Sequence, residues 1–328
     1  MNFKLFTFPE MRNDDPPSTL YHYTSLEALV SIVQTKRLRA SNIRFLNDTT
    51  ESMRLKRDAI EILEGWIARS PDKKDFKVTL ENIEKTPQQS LFLASLSENG
   101  DLLSQWRAYC PQNLGVSIGF SSECLAEQWI ADPNSDKGFF LSASLKKVKY
   151  YSPADRAQLE TEILQLLELE RRSGSRVAVG RMLTNIPEEL ISKWIDVIVK
   201  VEGEPGFAEP RPFSAVAAWL ALLAPLVKHD AFAEEGEWRK VASKDYRPLP
   251  GQRFRVGRST LIPFVDIMLD VKTVGAHRVL SEKYFINEVI IGPTPTPELT
   301  VEAVRSLFSS EGHPEVDVHV SRIPFRSW

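Results

Sequence analysis

The sequence has little cysteine and histidine and none of the common cofactor signatures. Only two cysteines, Cys110 and Cys124, and five histidines occur among 328 residues. Two thiols without a C-x-x-C spacing build neither a disulfide framework nor a structural zinc site. Buried free thiols are the expectation, which suits a reducing cytosol. His22, His229, His277, His313 and His319 form no i, i+4 pair on a helical segment. The H-E-x-x-H zinc motif, the G-x-G-x-x-G dinucleotide fingerprint and the G-x-x-x-x-G-K-[ST] phosphate loop are all missing. So is the G-x-S-x-G nucleophile elbow. An excess of one charge is lacking too: 41 basic residues face 44 acidic ones. That balance argues against a generic polyanion binder and leaves room for a local basic site.

Long apolar runs are absent. The most apolar stretch, Pro212 to Val227, is interrupted by Pro225 and falls short of the roughly 20 residues a membrane span needs. A buried helix is expected there, and no membrane association. Met1 to Pro17 carries acids and prolines but no basic segment followed by an apolar core, so a signal peptide is not expected and a cytoplasmic protein is.

What is present reads as α+β. Leu20–Tyr23 has the pattern of a short strand, and Thr24 with Glu27 forms a capping box for a helix. A strand ending near Ser41 follows, then a helix to about Ala68. Lys73–Gln89 reads as helix or surface connection. Ser90–Leu96 and Gly115–Phe120 are strand-like, and Asp101 is placed to cap the short helix between them. Phe139–Tyr151 is a further strand. From about 154 to 227 the spacing turns helical, with stripes at Leu159, Ile163, Leu166 and at Leu190, Trp194, Val197. Strands return at Trp238–Ser243, Phe254–Val256, Leu261–Leu269 and Phe285–Ile291, then a helix from Pro297 and a strand at Val316–Val320. The order predicts a 1–19 extension and one α+β domain over 20–328, with a helical insertion at about 154–227.

Several segments together resemble one family. They are Leu20-Tyr21-His22-Tyr23-Thr24-Ser25; Asn47-Asp48 with Glu51; Ser104-Gln105-Trp106-Arg107-Ala108-Tyr109; and Gly115 to Phe120. Lys228-His229, Glu235-Gly236-Glu237-Trp238-Arg239 and Ile286 to Pro293 complete the set. Their order resembles the bacterial domain-of-unknown-function family numbered 2971, which looks distantly like the ADP-ribosyltransferase fold. The resemblance implies a split, partly antiparallel sheet and NAD as a substrate; no metal is expected, because the histidines are scattered over distant segments. It implies an acceptor of ADP-ribose, a protein, a nucleic acid or water. By the same resemblance a first-strand histidine, a middle aromatic and a late glutamate fall at His22, at Tyr109 or Trp106, and at Glu237.

The residue types suit that chemistry and also plainer roles. A carboxylate beside a ribose that develops positive charge stabilises it electrostatically; Glu237 is the candidate, or else a surface glutamate at a strand start. Arg239 shares its strand face, to pair with Glu237 or to bind phosphate. Neutral His22 can hydrogen-bond a ribose hydroxyl or be a satisfied half-buried histidine. Trp106 and Tyr109 share a helix face, to stack on a ligand or to pack the core. Arg107 can grip a phosphate with its planar fork. Arg247, Arg253, Arg255 and Arg258 can contact nucleic acid or phosphate, or else guard an edge strand. Asp230, Glu234, Glu235 and Glu237 near His229 can coordinate a hard cation or form a solvated acidic loop. Two other functions stay open: a non-catalytic nucleotide or nucleic-acid sensor, and an NAD-dependent RNA phosphotransferase relying on Arg39, Arg107 and Arg239.

Overall fold

A computed structural model describes residues 15–46, 49–70, 74–85, 92–110, 114–126, 144–173, 214–242, 252–257, 259–274, 277–280 and 284–324. The expectations for Asn47, Asp48, Arg247, Arg258, the Leu190–Val197 stripe and the N-terminal extension to residue 14 lie outside them. So does most of the helical insertion.

A ten-stranded, mostly antiparallel sheet forms the frame. Its main path runs β14 (Asp317–Val320), β13 (Ile286–Ile291), β4 (Val116–Ser121), β1 (Thr19–Thr24), β3 (Phe92–Ser97), β2 (Arg37–Asn42), β10 (Leu261–Met268) and β9 (Arg253–Val256). Two more strands, β8 (Glu237–Ala242) and β5 (Ser144–Lys147), branch from β3. Only β13 and β14 pair in parallel within it. The alternating apolar residues that marked these strands fill one core: Leu20, Leu38, Ala40, Ile118, Phe120, Val265, Ile267 and Val289 are all essentially inaccessible.

The sheet divides at β3. One edge of β3 pairs with β8 along its whole length, from Phe92↔Ala242 to Ser97↔Glu237. The other edge is shared. It meets β1 only at Tyr21↔Ser97 and β2 only at Ser41↔Leu93 and Asn42↔Phe92. Between those points β1 and β2 diverge. Helix α1 (Leu26–Thr35) joins them and buries Leu29, Ile32 and Val33 at i, i+3, i+4 spacing.

A second core lies among helices. Helices α2 (Thr49–Arg69), α3 (Lys74–Lys85), α6 (Arg156–Ser173) and α7 (Ala215–Leu223) bring together Leu63, Trp66, Ile163, Leu166, Trp219 and Leu223. The apolar stretch is thus buried as a short helix. Among the described residues no helix is long and apolar enough to cross a membrane. The short β6 (Lys149–Tyr151) pairs in parallel with β7 (Val227–His229) beside this core.

Several local expectations are corrected. The α1 cap is Ser25, whose Oγ accepts from the Ala28 N–H at 3.2 Å; Thr24 stays in β1, paired with Val116. Asp101 does not cap α4 (Leu103–Tyr109), whose N-cap is Leu102. Its carboxylate accepts instead from Trp106 Nε1 at 2.8 Å and from Ser321 Oγ at 2.5 Å. Phe139–Tyr151 is not one strand, because β5 and β6 are separate in its described part. The hairpin of β11 (Val271–Val274) and β12 (His277–Leu280) had no counterpart in the sequence reading. Both cysteines are free. Burial pushes the Cys110 thiol up to about 12 despite its contact with the Thr24 carbonyl, which makes it a poor nucleophile.

Candidate functional site

The split in the sheet opens a cavity of about 450 Å³. That lies within the range of small-molecule sites. Its wall takes in His22 and Tyr23 from β1, Ala28 and Ile32 from α1, Arg37 and Arg39 from β2, and Ala94 to Leu96 from β3. Gln105 and Tyr109 from α4, Glu235 and Glu237 beside β8, and Arg255 from β9 complete it.

His22 spans the gap on the edge of β3 away from β8, between its pairings with β1 and β2. Its Nδ1 lies 2.9 Å from the Ser95 carbonyl oxygen. A carbonyl only accepts, so Nδ1 carries the proton and Nε2 is left as an acceptor. Burial pushes the His22 pKa below the usual histidine value, against the opposing effect of the Ser95 bond. The ring is therefore neutral near pH 7. Below the ordinary value of 6.5 the unfolded chain takes up this proton before the folded one does. Stability then falls as pH drops, until the folded ring is itself protonated. His22→Asn keeps an N–H donor for Ser95 and removes the titration. Its urea-unfolding free energy should drop less between about pH 7 and about pH 5 than that of the wild type; an equal drop would exclude His22 as a source of acid lability.

Glu237 opens β8 and is 3% exposed. Gly236 before it adopts a left-handed φ of 51°, a conformation open to glycine at little cost. That turn brings Glu235 and Glu237 to the same cation. Lys228 on β7 donates to Glu235 at 2.6 Å and lies 3.1 Å from Glu237 Oε2. Arg239 reaches back to Glu237 with Nε at 2.8 Å and Nη2 at 3.2 Å, and donates to the Pro225 carbonyl at 2.8 Å. Burial pushes the Glu237 carboxyl up. The Arg239 charge and hydrogen bond, the Lys228 charge and a bond from Ser95 outweigh it and hold the group below the usual carboxylate range. Two carboxylates and two cations thus form a buried, neutral cluster, and both glutamates line the cavity. Asp230 and Glu234 are exposed outside it, so the acidic stretch does not surround a common centre. Among the described residues, Glu288, Asp317 and His319 are close enough to share an ion.

The aromatic pair separates by role. Trp106 is fully buried, edge-on to Tyr23 at 4.8 Å, and is a core residue. Tyr109 lines the cavity and is 36% exposed. Tyr21 and Tyr23 are tied by their hydroxyls, to Glu288 at 2.7 Å and to the Asn99 carbonyl at 2.7 Å. Of the sequence candidates, His22, Tyr109 and Glu237 meet at the cavity. Trp106, Arg107 and Arg239 are not part of its wall. The sequence reading missed Gln105, whose buried side chain lies one turn from Tyr109, and Lys228, which it had met only as part of a motif.

Residues 105–240 match the model of a family described as a protein of unknown function, DUF2971. The similarity to that family is confined to this segment. The DUF2971 segment contains Tyr109, Lys228, Glu235, Glu237 and Arg239, and so supplies the aromatic wall and the charged cluster. His22, Arg39 and Arg255 lie outside it and complete the cavity from the flanking strands. No curated protein and no solved structure matches the chain.

Proposed function

We propose that the chain is an ADP-ribosyltransferase-like protein that binds NAD in the cleft and cleaves its nicotinamide–ribose bond. ADP-ribose then passes to a macromolecular acceptor or to water. The observation that supports this reading is the convergence of His22, Tyr109 and Glu237 on one cavity at the split of the sheet. These three residues come from β1, α4 and β8, far apart in sequence.

Each has work suited to its setting. The Tyr109 ring offers a flat apolar face to nicotinamide. His22, neutral and proton-bearing at Nδ1, accepts a hydrogen bond from a ribose hydroxyl at Nε2. The C–N bond breaks with its electron pair leaving on nicotinamide, and the ribose acquires cationic character. Glu237 supplies the negative charge beside it from a buried, preorganised position, where a fixed charge acts more strongly than in water. An acceptor hydroxyl or water then bonds to the sugar carbon and gives up its proton to bulk water.

A second reading is favoured by the cluster itself. The Glu237 oxygens already receive Arg239, Lys228 and Ser95, which leaves little net charge for a ribosyl cation. The same cavity would then bind a nucleotide without cleaving it. Nicotinamide release from NAD, compared between wild type and Glu237→Gln with cell extract as acceptor, separates the two. Release that depends on Glu237 supports transfer, NAD binding without release supports a sensor, and the absence of both removes the NAD reading.

A further inference from the structure

The three-strand flank β2–β10–β9 has one face that is strongly cationic. Register places Arg37 and Arg39 of β2 beside Met268 and Asp266 of β10, and Arg253 and Arg255 of β9 beside Phe264 and Ile262. With alternating side chains, Arg37, Arg39, Arg253 and Arg255 share the face that also holds Phe264 and Asp266. Four guanidinium groups thus meet one carboxylate. Asp266 is committed to two of them: it bonds Arg253 and lies 3.7 Å from Arg37. Among the described residues no carboxylate pairs with Arg39 or Arg255. Both line the cavity.

These two cations are set in place. The Arg39 guanidinium lies 5.1 Å from the centre of the Phe264 ring, a cation–π contact that fixes its plane. Burial and the neighbouring Arg39 charge both lower the Arg255 pKa, so the two like charges act on each other. Guarding a sheet edge accounts for a charge on the edge strand β9, which carries Arg255, but not for Arg39. Arg39 sits on β2, which is flanked by β3 and β10 and is not an edge strand.

We propose that Arg39 and Arg255 form an anion-binding pole that takes the phosphate or diphosphate of the cleft's ligand. The proposal deepens, and in its choice of ligand rests on, the reading of the cleft as a nucleotide site. It gives the cavity a direction: phosphates at the β2–β9 end, the sugar to be attacked at the Glu237 end. Nucleosides without phosphate would lose one of the two anchors. The same phosphate chemistry occurs in a free dinucleotide and at a nucleic-acid end.

Calorimetric titration of the full chain with inorganic pyrophosphate tests the pole directly. Pyrophosphate should bind the wild type, and Arg39→Met/Arg255→Met should weaken it by roughly 100-fold, about tenfold for each charged hydrogen-bond donor lost. Arg253→Met is the control, because Arg253 is committed to Asp266; it should change affinity by less than about threefold, far short of one lost charged bond. Circular dichroism and urea midpoints establish that each variant is folded. Absence of pyrophosphate binding to the wild type, or equal binding to a folded double variant, overturns the proposal. ADP-ribose that binds more tightly than pyrophosphate, in an arginine-dependent way, identifies a dinucleotide as the source. Arginine-dependent displacement of pyrophosphate by a 5′-phosphorylated oligonucleotide but not by ADP-ribose identifies a nucleic-acid end. Pyrophosphate binding without NAD binding would keep the pole and remove the NAD reading; NAD binding undiminished in the double variant would do the reverse.

Discussion

Lys228→Met should lower the folding free energy by about 3–5 kcal/mol, the usual result of removing one partner from a buried ion pair. The Lys228 side chain is 1% exposed and holds Glu235 at 2.6 Å and Glu237 at 3.1 Å. Methionine matches its length and can fill its volume, so the loss is electrostatic rather than a cavity. The two carboxylates then lose their shared cation, and the bidentate bond of Arg239 goes to Glu237. Urea unfolding near neutral pH measures the effect. Adding Glu235→Gln to Lys228→Met should recover part of it, because it removes one of the two carboxylate charges that Lys228 had balanced. A single variant as stable as wild type would show that the cluster is open to water and that its charges are not dependent on one another.

The second large effect concerns turnover. Glu237→Gln keeps the shape of the side chain and removes its charge. If the carboxylate stabilises a developing ribosyl cation, nicotinamide release should fall by about 10²–10³-fold, the range for loss of one preorganised electrostatic group. NAD affinity should change far less, because the pole at Arg39 and Arg255 and the Tyr109 face are untouched. The substitution also leaves Arg239 and Lys228 short of one negative charge, so the variant should be less stable and needs to be assayed where it remains folded. Unchanged release in a folded variant would remove Glu237 from the chemistry.

Much of this fold was legible in the sequence, for a physical reason that also marks the limit. Helices such as Leu26–Thr35 bury one face, which writes a period of 3.6 into the chain; the strand Val116–Ser121 is buried on both faces and shows in the sequence through its residue types. Helix starts were less legible where two hydroxyl residues adjoin. Thr24 and Ser25 both offer a capping oxygen, and the β1–β4 ladder, by holding Thr24, decides for Ser25. Asp101 looked like a cap, but its carboxylate is drawn to the Trp106 indole and to Ser321, more than two hundred residues on. No local pattern encodes that contact.

The site was legible one residue at a time and not as an arrangement. His22 and Glu237 were visible as chemical types. That His22 bridges a gap in β3 follows from the divergence of β1 and β2, which is a tertiary fact. The two uses open to Arg239 were decided by a bidentate bond to Glu237. Arg39 and Arg255 lie far apart in sequence and come together only because β10 pairs with both β2 and β9.

A crystal structure of the protein with ADP-ribose bound tests the central claim most directly. The account predicts the ligand in the split between β1 and β2, its diphosphate within hydrogen-bonding distance of Arg39 and Arg255 and its terminal ribose against Glu237 and His22. ADP-ribose bound elsewhere, or in the cleft with its terminal ribose turned toward β9, would contradict it.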